Sequence, residues 1–161
     1  MNVVEIQIKL STQTLELYKA KLLKKTYLIS SALLGSGEEK GSYRTPRGMH
    51  IIRAKIGGGV PLNSVFTARR NTGEIYSESL RELFPTRDWI LSRLLWLSGL
   101  EMGKNRLGKV DTMQRYIYIH GTHEESLLGT PASHGCIRMK NQDIIDLYDQ
   151  VPIGTKVDII E

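Results

Sequence analysis

The chain of 161 residues contains a single cysteine. One thiol closes no intramolecular disulfide, which excludes a disulfide-built scaffold and a zinc site made of several cysteines. Aromatic residues are few, at 7%, and the basic residues are scattered. With no nucleic-acid module signature either, no nucleic-acid partner is expected. No apolar run approaches membrane-spanning length, so no transmembrane segment is expected. The start, Met1-Asn2-Val3-Val4-Glu5, lacks the basic residues and long apolar stretch of a signal peptide. Repeats and low-complexity segments are also missing. Neither sign of charge dominates: 22 basic and 17 acidic residues leave +5, a mild preference for anionic polymers or surfaces. What remains is ordinary for a soluble globular chain, with 40% hydrophobic and 24% charged residues. The length suits one domain over residues 1–161 with a sizeable core.

The apolar pattern is mostly of period two. Val4, Ile6, Ile8 and Leu10 alternate with polar residues, a half-buried strand. Further strands are expected around Leu15 and Leu17 as far as Lys19, and over 21–30, 49–56, 115–119 and 156–160. Successive hairpins suggest antiparallel sheet. Tyr43-Arg44-Thr45-Pro46-Arg47-Gly48 reads as a shaped turn, because proline fixes its φ and glycine permits a positive one. Residues 61–71 read as short strand or loop, and 78–84 as one or two helical turns. Asp88 reads as an N-cap or first-turn acid for a helix over 88–100 with Leu94, Leu95 and Leu97. Asn141 reads as the cap of a helix bearing Ile144, Ile145 and Tyr148. The expected class is mainly β, a sandwich or partly closed barrel with two or three helices. One helical group falls in an insertion at about 60–112, which reads as a lid.

Chemistry concentrates in residues 116–139, which hold Cys136, His120, His123 and His134. Ser133-His134-Gly135-Cys136 predicts a surface turn with a reachable thiol. A thiol that reacts near neutral pH needs an imidazole or cationic neighbour, and His120, at the end of an apolar strand, fits that need. On this reading Cys136 is more acidic than a free thiol, whose pKa is about 8.5. The turn at His134, Gly135 and Cys136 can aim backbone N–H groups at a tetrahedral oxyanion. A carbonyl near Gly121 can orient His120. Arg138 lies two residues past Cys136, on the same side of an extended segment, where its guanidinium fits a carboxylate. Ser133, Gly121, Thr122, Tyr118 and Tyr43 are assigned to the substrate groove, with Tyr116 beside them. His123 is expected to face solvent, His50 to be structural, and Trp89 and Trp96 to be core. The three histidines and the thiol include metal-ligand types, but their spacing follows no helical or knuckle logic. No metal or cofactor is expected.

His120-Gly121-Thr122, followed by Ser133-His134-Gly135-Cys136-Ile137-Arg138-Met139, resembles the signature of the L,D-transpeptidase (YkuD-type) catalytic domain. Thr45-Pro46-Arg47-Gly48 resembles that family's Thr-Pro-x-Gly turn. Thr14-Leu15-Glu16-Leu17-Tyr18 resembles its opening. Asn141 onward and Pro152-Ile153-Gly154-Thr155-Lys156-Val157 resemble its closing helix and strand. The likeness spans the chain except roughly 60–112. It implies that Cys136 is the nucleophile and His120 the base of an enzyme of bacterial cell-wall chemistry. The thiolate would attack a peptidoglycan stem tetrapeptide at its third residue and release D-alanine. An amine acceptor would then take the acyl group from the thioester, giving a 3→3 crosslink or protein attachment. Water as acceptor would make the same site an L,D-carboxypeptidase. The resemblance also implies carbapenem inhibitors, a monomer, and action in the periplasm or cell wall, for which this chain carries no leader.

Overall fold

The computed structural model describes residues 3–161; Met1 and Asn2, where the N-terminal reading begins, lie outside the described residues. The strands are β1 (Val4–Lys9), β2 (Thr14–Lys19), β3 (Leu22–Ser30), β4 (Gly48–Ile56), β5 (Ser64–Thr67), β6 (Arg70–Ile75), β7 (Ile90–Gly99), β8 (Tyr118–Gly121), β9 (Ile137–Met139) and β10 (Lys156–Ile160). Helix α1 (Glu78–Leu83) follows β6, and α2 (Asn141–Gln150) follows β9. The mainly β class with two helices is as expected.

Alternation does what period two predicts. β1 buries Ile6 and Ile8, and β2 buries Leu15 and Leu17. β1, β2 and β3 form an antiparallel meander. The wall then runs β4-β10-β1-β2-β3-β9-β8-β7, and β7 pairs back to β4. The barrel is therefore closed by eight strands, rather than partly open. It is mixed, because β1 pairs parallel with β10 and β8 parallel with β9. Closure leaves the barrel itself no free edge. The interior is filled by residues such as Ile8, Leu17, Ile29, Leu97, Ile119 and Val157, with Ile144 and Leu147 of α2 packed in. Each such side chain contributes roughly 1.5–3 kcal/mol by burial.

The expected helix over 88–100 is instead strand β7, in the middle of the wall. Two physical facts explain the difference. Residues Ile90 to Leu95 are buried on both faces of the sheet, Ser92 and Arg93 included, so the segment shows no alternation of buried and exposed positions. Ser92 also has φ 72°, and the β7–β8 register shifts between Leu91 and Leu94. That bulge leaves Ser92 and Arg93 without partners on β8 and sets Leu91, Leu94 and Leu95 at a spacing that also fits a helix. Leu95 and Leu97 enter the barrel core, while Ile90, Leu94 and Trp96 face a second cluster around Phe66 and Tyr118.

The stretch 60–112 is thus of two kinds. β7 belongs to the barrel wall, whereas the β5–β6 hairpin, followed by α1, joins the start of β7 through Val65 and Phe66. Asn141 is the first residue of α2 and not its cap; Lys140 holds the cap position without a side-chain bond. Asn141 instead ties three elements together. Its Nδ2 donates to the Thr122 carbonyl at 2.7 Å, and its Oδ1 accepts from Ser92 Oγ at 2.6 Å.

His50 is structural, as read. It is fully buried, with Nδ1 2.9 Å from the Gly48 carbonyl and Nε2 2.9 Å from Thr112 Oγ1. Burial lowers its pKa from 6.5 to about 4. A lowered folded pKa means that the unfolded chain takes up the proton first as pH falls. The contribution is therefore complete above pH 6.5 and lost as pH drops toward 4. The shift corresponds to at most roughly 3 kcal/mol. Urea unfolding across that window should show stability falling with pH, and His50→Gln should flatten the fall. An identical slope in the variant would remove His50 as its source.

Candidate active site

The parallel β8–β9 pair builds the site. Its register sets Ile119 opposite Ile137 and His120 opposite Arg138. β9 begins immediately after Cys136, so strand pairing carries the thiol to the His120 strand. β8 itself starts at Tyr118 and not at Arg115, because Tyr116 adopts φ 58° and Arg115 closes a turn onto the Asp111 carbonyl. The two elements open onto a cavity of about 600 Å³ whose wall includes His120, Cys136, Arg138, His134 and Tyr118. A second cavity of about 410 Å³ adjoins it across His134 and Tyr116 and is lined by Tyr43. Tyr43 meets His134 edge-on at 6.1 Å between ring centres.

The turn that carries Cys136 is braced from beneath. Ser133 is buried; its hydroxyl donates to the Cys136 carbonyl at 2.5 Å and accepts from the Gly135 amide at 3.1 Å. Gly135 has φ 134°, and a Cβ there would lie 3.2 Å from Ile117. The glycine thus serves the turn's shape, while its N–H is engaged by Ser133. Thr45 of the Thr-Pro-Arg-Gly turn joins in. Its hydroxyl donates to the Gly135 carbonyl at 2.9 Å and accepts from the Ala32 amide at 2.9 Å. This link between distant turns was missed from sequence, since neither residue type signals it.

The thiol is half-buried against Phe66, Leu94 and Tyr118. Its S–H donates to the Tyr116 carbonyl at 3.4 Å, and the Tyr118 amide donates to Sγ at 3.3 Å. Burial pushes the thiol up to about 12, although Tyr118 N–H, Arg138 and Arg115 favour the thiolate. The expected acidic thiol is therefore corrected: apolar packing outweighs the nearby positive charge, and the resting thiol is neutral. His120 is buried, and its Nδ1 donates to the Gly121 carbonyl at 2.7 Å. That bond fixes the tautomer and leaves Nε2 as the acceptor. Burial lowers the His120 pKa, partly opposed by the charge of Asp88. The resting pair is thus a thiol and an unprotonated imidazole, not an ion pair.

Other residues fall where sequence did not put them. Gly121 and Thr122 stand behind the cavity rather than on its wall. A Cβ on Gly121 would lie 2.3 Å from Asn141 Oδ1 and 2.6 Å from the Leu91 carbonyl. Thr122 is buried, with its amide on the Met139 carbonyl and its own carbonyl on Asn141. His123 does not face solvent; it packs half-buried against Tyr76 and Trp89. No group of three His, Cys, Asp or Glu among the described residues is arranged to hold a metal ion. Arg138 reaches the cavity, as its spacing from Cys136 implied, and pairs with Glu124 at 3.4 Å. Arg69, at the tip of the β5–β6 hairpin, was not foreseen. It donates to Tyr118 Oη at 3.0 Å and lies over the rings of Trp96 and Tyr116 at 4.8 and 4.9 Å. Asp88, read as a helix cap, is on the cavity wall instead.

A family model described as the YkuD L,D-transpeptidase catalytic domain matches residues 4–159. The probable L,D-transpeptidase YbiS of Escherichia coli K12 is 45% identical over 47 residues, 29% of this chain and 15% of that protein. The putative L,D-transpeptidase YkuD of Bacillus subtilis 168 is 51% identical over 41 residues, 26% of this chain and 25% of that protein. Those matches therefore span a quarter or less of these relatives' own length. In three dimensions the chain is similar to L,D-transpeptidase 3 of Mycobacterium tuberculosis in complex with a faropenem-derived adduct. The TM-score is 0.62 at 16% identity, over 99% of this chain and 61% of that one. The L,D-transpeptidase LdtMt1 in complex with imipenem gives 0.59 at 17%, over 98% and 59%. At such identities the likeness is one of fold.

Proposed function

The chain belongs to the L,D-transpeptidase catalytic-domain family, and from that premise we propose that it is a cysteine acyltransferase acting on peptidoglycan stem peptides. One observation carries the reading. A thiol and an unprotonated histidine, oriented by a backbone carbonyl, open together onto one cavity. Acyl transfer needs a nucleophile, a base that takes and returns its proton, and donors for the oxyanion. In the proposed reaction the tetrapeptide carbonyl at residue three displaces the thiol from Tyr116. The Sγ proton passes to His120 Nε2 as the S–C bond forms. The oxyanion is held by the amides of His134 and Cys136, beside the braced Gly135. Collapse breaks the peptide C–N bond, His120 returns its proton to the departing D-alanine amine, and a thioester remains. An amine then displaces sulfur and gives the crosslink. Arg138 supplies a guanidinium for a stem carboxylate.

Peptidoglycan as substrate places the work in the cell wall. The same nucleophile would open carbapenems, whose acyl carbonyl offers sulfur an equivalent target. The reading is tested by incubating the protein with purified disaccharide-tetrapeptide and resolving products by mass spectrometry. Crosslinked dimer supports transfer. Tripeptide alone would make the protein an L,D-carboxypeptidase, and neither product would end the acyl-transfer reading.

The lid is assigned to the β5–β6 hairpin with α1. Its tip residues Thr67, Ala68 and Arg69 line the cavity, and Arg69 latches it onto Tyr118 and Trp96. A lid that excludes water favours the amine over hydrolysis. Arg69→Ala should therefore raise the ratio of tripeptide to crosslinked product, or weaken donor binding, while the melting temperature changes little. Unchanged rates and product ratio in the variant would make the hairpin decoration.

A further inference from the structure

The cavity wall carries four guanidinium groups, from Arg69, Arg87, Arg115 and Arg138, and one carboxylate, Asp88. Every arginine is engaged. Arg87 pairs with Glu74 at 2.7 Å and Arg138 with Glu124 at 3.4 Å. Arg69 bonds Tyr118 Oη, and Arg115 bonds the carbonyls of Gly37 and Arg44 and the Ser42 hydroxyl. Asp88 alone is exposed and makes no hydrogen bond or ion pair among the described residues. A lone carboxylate among arginines would ordinarily be drawn into one of them. Here the arginines are held by other partners, so the acid stays open to the cavity. It lines the same cavity as His120 and Cys136, and its negative charge acts on both.

We propose that Asp88 docks the cationic amine that attacks the thioester. A carboxylate on the same cavity wall as His120 and Cys136 faces the space through which the amine must arrive. Its negative charge also opposes the Cys136 thiolate, so activating the thiol is not its use. Arg69 and Arg115, whose partners are neutral, leave positive charge for the donor's carboxylates, and Asp88 supplies the opposite sign for the acceptor. The step balances. The ammonium held at Asp88 loses one proton to solvent and becomes the nucleophile. The new N–C bond forms as the C–S bond breaks. The amine's second proton goes through His120 Nε2 to sulfur, restoring the thiol. This deepens the acyl-transfer reading and rests on it.

Two measurements separate the inference from that reading. The first needs no turnover. Cys136→Ala protein is titrated calorimetrically with a stem tripeptide bearing a free side-chain amine, and with the same peptide acetylated there. Acetylation should weaken binding about tenfold when Asp88 is present, the worth of a charge-assisted hydrogen bond. In Cys136→Ala/Asp88→Asn it should make no difference. Equal weakening in both proteins overturns the proposal. The second follows the thioester's fate. Asp88→Asn should lower the ratio of crosslinked to hydrolysed product about tenfold, with Asp88→Glu restoring part of it. A slowed acylation with an unchanged ratio would make Asp88 a partner of His120 and overturn acceptor docking. If the wild type forms no acyl-enzyme, the acyl-transfer reading fails separately, and the binding comparison still decides Asp88.

Discussion

Cys136→Ala should lose all turnover and all covalent labelling by a carbapenem, while wild type takes up one adduct per chain, mapped to Cys136. His120→Ala should slow that labelling by about 10²–10⁴-fold, the usual contribution of a positioned general base. Cys136→Ser should fold and turn over poorly, because an alcohol is far harder to deprotonate. The pH profile carries the sharper test. Burial lowers His120 and pushes Cys136 up to about 12. A resting ion pair would show thiolate absorbance near neutral pH; a thiol beside neutral imidazole shows none. The labelling rate should rise with pH through the lowered His120 pKa and then stay level. It should show no second rise near about 8.5, where a free thiol ionises. Intact-protein mass spectrometry and peptide mapping measure both. Turnover surviving in Cys136→Ala would sink the covalent mechanism. Labelling indifferent to His120 would transfer the base role to His134.

The second large effect is expected from one methyl group. In Gly121→Ala the new Cβ would meet Asn141 Oδ1 at 2.3 Å and the Leu91 carbonyl at 2.6 Å. The first is a side chain already bonded to Ser92 and Thr122, and the second is strand backbone. Neither yields without moving β7 or α2. Overpacking of this kind costs about 1–3 kcal/mol, and more where backbone must shift. The Gly121 carbonyl also orients His120, so displacement should reduce acylation beyond what the loss of folded protein explains. Urea unfolding gives the stability, and labelling of the folded fraction gives the chemistry. A variant with wild-type stability and labelling would mean that the strand ends absorb the methyl, and that His120 needs no such support.

Much of this protein was written locally in its sequence. The alternation in Val4–Lys9 and Thr14–Lys19 specifies half-buried strands, because every second side chain points inward. The His-Gly-Thr and Ser-His-Gly-Cys blocks carried the resemblance to the L,D-transpeptidase catalytic domain, which the family match over residues 4–159 bears out. Three things were settled only in three dimensions. β7 looked helical because burial on both faces removes the alternation of buried and exposed positions. The resting thiol is neutral, because Phe66 and Leu94, remote in sequence, supply an apolar surround that outweighs Arg138 and Arg115. Asp88, Arg69 and Thr45 joined the site because barrel closure and hairpin packing bring distant turns together. Local pattern reports which face a side chain must hide; only the closed barrel decides what lies across from it, and the dielectric and partners found there set its chemistry.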